Sequence, residues 1–298
     1  MYKWIIPGKL AQSPLPRPSD VEKIAGLFDA VVVLTMPSEH HPLYIDKLVE
    51  HGLKVLHIPT PDFHPVELLD LLNASVFIDE VLSKGGRVLV HCYGGIGRSG
   101  QVTTSYLLYT GLDLYRAIST VRSIIPSAVE NKWQFQLLED FETLLNHVDK
   151  PLLVKYIKTM REIQSLDPVA YRHASKVLQF TIELNSVINR EDVDLKNELL
   201  KALLHIHRVE TRNIVLNYIE IQEPSYKELL VELAHVLDSR FDSRVVVLYT
   251  RVIDEPEVTL LCRDNCEDIS IEFKNKLVEL TSIKSTVSVD WGLYLDYI

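Results

Sequence analysis

Cysteine is scarce in this 298-residue chain: there are three, Cys92, Cys262 and Cys266. That number excludes a disulfide framework and fits a reducing compartment. Cys262-Arg263-Asp264-Asn265-Cys266 has the spacing of half a zinc site or a local disulfide. No second pair exists to complete a four-sulfur site, so it reads as two ordinary thiols beside a turn. Long apolar runs are missing too: none approaches the roughly 18 residues a membrane span needs. The N-terminus has no signal-peptide pattern, because Ile5-Ile6 meets Pro7 at once. A soluble, cytoplasmic protein is expected. Positive charge is in deficit, with a formal net charge of −10. That balance argues against nucleic acid or an anionic membrane as a general partner. Glycine is unevenly spent: ten of the eleven lie at or before Gly111, and only Gly292 lies beyond.

What is present, at 47% hydrophobic residues, suffices for one full core and fits two. In the glycine-bearing half, apolar runs Ala30–Leu34, Lys54–Ile58 and Arg87–Val90 read as strands. Segments Tyr44–His51, Leu68–Lys84, Ser99–Tyr109, Asp113–Ile124 and Asn131–His147 carry helical spacing. Strands alternating with helices predict an α/β fold with a mostly parallel central sheet flanked by helices. Asp149-Lys150-Pro151 is the expected boundary of this first domain, 1–150. Residues 151–237 read as a helical region, with apolar Leu195, Leu199, Leu203 and Ile206 at helical spacing. Residues 238–298 read as a small α+β unit of unassigned role. Its strands are Val245–Tyr249 and Glu257–Leu261 around Asp254-Glu255-Pro256, then Thr286–Asp290 and Tyr294–Ile298, with a helix from Asp268 to Leu280.

The chemistry concentrates in residues 91–100, His-Cys-Tyr-Gly-Gly-Ile-Gly-Arg-Ser-Gly. A strand leads into a glycine-rich loop and then a helix N-terminus. That order builds an anion cradle, since loop amides converge where the helix dipole is positive. Cys92 at its base has its thiolate form favoured. Arg98 can grip two oxygens of a dianion at once, which a lysine cannot. The combination suits a nucleophilic sulfur aimed at phosphorus.

This stretch resembles the phosphate-binding signature His-Cys-x-x-Gly-x-x-Arg-Ser/Thr of cysteine-dependent protein tyrosine phosphatases. Over residues 1–147 the chain is similar to the small atypical dual-specificity phosphatases. Trp4–Ala11 looks like their N-terminal strand and Pro61-Asp62-Phe63 like their general-acid loop. Ile125–Glu130 with Gln134 looks like their glutamine-bearing segment. The resemblance implies that Cys92 forms a phosphocysteine. Arg98 and the amides of Tyr93, Gly94, Gly95, Ile96 and Gly97 would bind the phosphoryl oxygens. Asp62 would be general acid and then base, Gln134 would position water, and Ser99 would ease release of the sulfur. His91 would support the loop. No metal or cofactor is expected. Glu39, His40 and His41 read as mouth or solvated loop residues without a catalytic part. Gln101 departs from the family's usual small hydroxyl residue, and its side chain is expected to face away from the loop.

The loop carries no lysine, which favours a singly phosphorylated group, hence phosphorylated proteins with a bias to phosphotyrosine. Alternatives are RNA 5′-phosphates or another small phosphate ester, and a phosphate-binding scaffold. A rhodanese-like or arsenate-reducing enzyme is disfavoured by the Gly-Arg-Ser run and by the lack of resolving thiols. The second half is expected to shape substrate choice or dimerisation. The oligomeric state is open.

Overall fold

The computed structural model describes residues 2–188, 193–206, 229–252, 256–282 and 285–290. The chain forms two compact units, Met1–Glu142 and Thr143–Ile298.

The first unit is α/β. Its five-stranded sheet has the order β1-β2-β5-β3-β4. The strands are β1 (Lys3–Ile6), β2 (Leu10–Ser13), β3 (Ala30–Val33), β4 (Lys54–His57) and β5 (Val88–His91). Only β1 is antiparallel; β2, β5, β3 and β4 run parallel. The single N-terminal strand expected over Trp4–Ala11 is in fact two, folded back on each other at Pro7-Gly8. Gly8 has φ +68°, a turn conformation that glycine adopts without the Cβ clash. β2, β3 and β5 are buried along their whole length, as strands covered on both faces must be.

Helices α1 (Val21–Ala25), α2 (Tyr44–Glu50), α3 (Leu68–Leu82), α4 (Gly97–Tyr109), α5 (Leu114–Ile124) and α6 (Lys132–His147) follow in chain order. Every residue of α4 is buried, although five of them are Ser, Thr or Gln. Those hydroxyls are satisfied locally: Thr104 Oγ1 donates to Gly100 O at 2.7 Å and Ser105 Oγ to Val102 O at 2.9 Å.

The topology fixes where a site can form. β5 is flanked by β2 and β3, with Ser13 and Val33 both in register with His91. The segments following β2, β3, β4 and β5 therefore leave the sheet at the same carboxyl edge, the usual binding crevice of parallel sheets.

The second unit begins within the C-terminal part of α6 and continues with α7 (Lys150–Leu166), α8 (Pro168–Ile188), α9 (Leu195–Leu203) and α10 (Leu230–Leu237). A three-stranded sheet follows, β6 (Val245–Val252), β7 (Pro256–Cys262) and β8 (Thr286–Asp290), with α11 (Glu267–Thr281) between the last two. β6 and β7 are antiparallel; β7 and β8 are parallel. The edge of β6 is closed by polar groups of α8. Lys176 Nζ and Gln179 Nε2 both donate to Val246 O at 3.0 Å, and Glu183 Oε2 accepts from Leu248 N at 2.9 Å. A free strand edge thus finds its hydrogen bonds inside the unit.

Cys262 and Cys266 are joined as a disulfide, which corrects their reading as ordinary thiols. The turn from the end of β7 to the start of α11 brings their Cα atoms to 6.5 Å, within disulfide reach. The expected strand Tyr294–Ile298, residues 253–255 of the hairpin and residues 207–228 of the helical stretch lie outside the described residues.

Candidate active site

Cys92 follows directly on β5 and is 2% exposed. Its Sγ accepts a hydrogen bond from Gly95 N at 3.2 Å and lies 3.3 Å from Ser99 Oγ. The loop turns tightly because Gly95 has φ +70°, and a Cβ there would run into the backbone of Ser13 and Pro14. Gln12 Nε2 donates to Gly95 O at 3.0 Å, and Thr103 Oγ1 donates to Gln12 Oε1 at 2.7 Å. Leu15 N donates to Tyr93 O at 3.0 Å. β2 and the residues after it therefore brace the loop from beneath. Tyr93 itself is 57% exposed, an aromatic ring at the rim.

His91 is wholly buried, with Nε2 3.0 Å from Tyr44 Oη and Nδ1 3.4 Å from Cys92 O. Burial pushes its pKa down to about 3, and the positive charge of Arg98 is among the smaller causes acting the same way. It is a neutral ring. Burial likewise pushes the Tyr44 hydroxyl up, so it stays protonated.

Arg98, on the first turn of α4, is fully buried. Its Nη1 donates to Thr60 O at 2.7 Å and to Glu39 Oε2 at 2.8 Å. Its Nη2 donates to Glu39 Oε1 at 2.9 Å and lies 2.8 Å from Asp62 Oδ1. Arg98 Nε finds no acceptor among the described residues. Burial alone would lower the guanidinium's proton affinity, but Glu39, the Cys92 sulfur and Asp62 outweigh it and raise the pKa. Burial works against the Glu39 charge as well, yet hydrogen bonds from Arg98 and from Met36 N at 2.6 Å hold its carboxyl below the usual range. Glu39, read from sequence as a mouth or solvated residue, is thus a bidentate partner of the buried arginine. An acidic residue among loop histidines looks solvent-facing in sequence, and its partner stands 59 positions away.

Asp62 is 45% exposed and sits in the segment after β4. Phe63 next to it has φ +61°, a left-handed conformation that costs a bulky side chain on the order of 1–2 kcal/mol. Three contacts hold this segment in place. Phe63 O accepts from Asn131 Nδ2 at 2.8 Å, Val66 N donates to Gln101 Oε1 at 2.7 Å, and Val66 O accepts from Gln101 Nε2 at 3.4 Å. Gln101 turns away from the loop, and its amide instead secures the Asp62 segment from the far side.

Gln134, on α6, is buried, with Oε1 accepting from Glu130 N at 3.0 Å and Nε2 3.5 Å from Glu130 Oε1. A Cβ on Gly97 would collide with the Glu130 carboxyl and crowd Gln134 Nε2, so both side chains lie against the start of α4. Burial raises the Glu130 pKa, partly offset by Gln134 and reinforced by the Asp62 charge. The turn presenting them is strained at Val129, φ +59°, and Arg122 anchors it through Ala128 O and Val129 O, both at 2.9 Å.

Cys92, Ser99, Arg98 and Asp62 are thus gathered at one edge of the sheet, with Gln134 against the start of α4 at Gly97. Chemically the arrangement offers a sulfur beneath amides, a guanidinium for oxyanions and a carboxyl group at the rim.

The family model for the dual specificity phosphatase catalytic domain matches residues 21–143. The chain is 39% identical over 103 residues to "Dual specificity protein phosphatase Mpk3" of Drosophila melanogaster, covering 34% of this chain and 25% of that protein. It is 36% identical over 112 residues to "Dual specificity protein phosphatase 12" of Rattus norvegicus, covering 36% of this chain and 32% of that protein. The matched segment therefore spans a quarter to a third of these relatives. Among solved structures, Tk-PTP in its active form is 38% identical over 48% of this chain and 96% of that chain, with a TM-score of 0.46.

Proposed function

Residues 21–143 form a dual specificity phosphatase segment of the cysteine-dependent protein tyrosine phosphatase superfamily, and from that premise we propose that the chain hydrolyses phosphotyrosine, and phosphoserine or phosphothreonine, on proteins. The observation that carries this reading is the seat of Cys92. Its sulfur accepts from Gly95 N and faces the Ser99 hydroxyl, with the buried Arg98 six residues on.

In the proposed reaction the phosphoryl group enters the loop. Its oxygens take hydrogen bonds from the loop amides and from Arg98, whose Nε–H has no acceptor in the protein among the described residues. The dianion displaces Asp62 from Nη2, and the freed carboxylate takes up a proton from solvent before it faces the leaving oxygen. The Cys92 sulfur attacks phosphorus, the P–O ester bond breaks, and Asp62 gives its proton to the departing oxygen. Water then attacks the phosphocysteine and yields its proton to Asp62. The P–S bond breaks, and the Ser99 hydroxyl, 3.3 Å from the sulfur, donates to the thiolate that leaves. Gln134 lies against the loop, where its amide positions that water. The lysine-free loop supports substrates with a single phosphate, and exposed Tyr93 supports an aromatic contact at the rim.

The deciding experiment is turnover of a phosphopeptide panel beside phosphoinositides and 5′-triphosphorylated RNA. Cys92→Ser should abolish turnover while vanadate still binds, and acid quench should trap phosphate on the wild-type sulfur. Preferred hydrolysis of RNA, or turnover by Cys92→Ser, would overturn the proposal.

A further inference from the structure

The second unit holds a cluster that phosphoryl transfer does not use. His173 lies on α8, His205 in the turn that ends α9, and His235 on α10. One ligand nitrogen from each lies within 4.8 Å of the other two. His205 Nε2 and His235 Nδ1 are 3.4 Å apart. Two imidazole nitrogens on one tetrahedral zinc, each at about 2.05 Å, stand about 3.3 Å from each other. This pair therefore already has the bite of a chelate, and His173 brings a third nitrogen into the same cluster.

A second, independent observation concerns His173. It is 2% exposed, and its Nδ1 donates to Asp238 Oδ2 at 2.9 Å. Asp238 is itself 1% exposed and accepts from Ser243 N at 2.8 Å through its other oxygen. Phe241 closes over the His173 ring, with centroids 4.3 Å apart. A carboxylate on Nδ1 fixes the tautomer in which that nitrogen carries the proton and sets the orientation of the ring. The ring is thus oriented as histidine ligands are.

We propose that His173, His205 and His235 bind one divalent transition-metal ion of the zinc class, with Asp238 orienting His173. Neutral imidazoles select zinc, copper or nickel over magnesium and calcium, which need oxygen donors. Three nitrogens leave a fourth position for water or another donor. The ion links α8, the turn after α9 and α10, which hold together three separate stretches of the helical layer. Its effect falls on the stability of the second unit and not on the phosphocysteine chemistry.

The test uses the full chain without a histidine tag, stripped with chelator and titrated with zinc and separately with cobalt. Binding of about one equivalent is expected, with a rise in Tm of at least about 3 °C at saturating zinc. Cobalt should give the intense visible bands of a nitrogen-ligated, tetrahedral ion. His205→Ala combined with His235→Ala should lose the Tm rise and at least 100-fold in affinity. Asp238→Asn should weaken binding about 10- to 100-fold, with turnover of a small phosphate ester unchanged. No zinc uptake by the wild type, or equal uptake by the double variant, overturns the proposal. If the double variant does not fold, the wild-type cobalt spectrum decides: tetrahedral bands support the site, and the faint spectrum of hydrated cobalt overturns it.

Discussion

Glu39 and Arg98 form a two-pronged pair, Oε2 to Nη1 at 2.8 Å and Oε1 to Nη2 at 2.9 Å, around a guanidinium with no exposed surface. Removing Glu39 leaves the buried guanidinium with Asp62 as its remaining carboxylate partner, so part of the roughly 3–5 kcal/mol that breaking a buried pair costs is lost. Glu39→Ala should therefore lower the Tm strongly, and Glu39→Gln, which keeps hydrogen-bonding capacity, should lower it less. A bound phosphate or vanadate supplies the missing negative charge. It should raise the Tm of Glu39→Ala more than that of wild type, as thermal melts with and without vanadate would read. Equal ligand-induced shifts would remove Glu39 from the arginine's charge balance.

Asp62 is proposed as the proton donor. Asp62→Ala should lower kcat on the order of 10²-fold or more for a phosphotyrosine peptide. Esters whose leaving group departs without a proton should lose far less. The alkaline limb of the kcat profile should flatten in the variant. An unchanged profile would assign the acid elsewhere.

Gln101 satisfies both the N–H and the C=O of Val66, four residues beyond Asp62. Gln101→Leu fills similar space but strands two buried backbone groups, a cost of roughly 1–3 kcal/mol. The Asp62 segment should loosen with it. The expected signature is a fall in kcat for poor leaving groups with KM nearly constant, and little change for activated esters. Equal losses on both substrate types would make Gln101 merely structural.

His91 titrates near 6.5 when the chain is unfolded but only near 3 when folded. Below pH 6.5 the unfolded chain takes up a proton that the folded chain refuses. Stability therefore falls as pH falls, by up to about 1.4 kcal/mol per pH unit down to about pH 3. His57, depressed mainly by burial, acts in the same direction. Urea midpoints at pH 7, 6 and 5 should converge between wild type and His91→Asn as the solution is acidified. Parallel curves would contradict the assignment of a neutral, buried ring.

Much of the first unit can be read without coordinates, because β3, β4, β5 and α4 are strongly patterned and bounded by glycine and proline. The strand, loop and helix around Cys92 are local, so their geometry follows from neighbours in sequence. What escapes is long-range. The partner of Glu39 is settled only when the segments after β3 and β5 meet at one sheet edge. Gln101 looks like an ordinary helical glutamine until Val66 packs against it, 35 positions earlier. Lys176, Gln179 and Glu183 would be taken for a solvated face of α8, yet they are buried against β6. His173, His205 and His235 follow no ligand spacing, because three separate segments supply them. The Pro7-Gly8 reversal splits what the sequence presents as one apolar strand, Trp4–Ala11, into two.

The bond between Cys262 and Cys266 leaves the molecule a single thiol, at Cys92. A thiol-selective electrophile therefore has one address on the native chain. Its rate of attachment becomes a gauge of access to the cradle floor, readable by intact mass without a substrate.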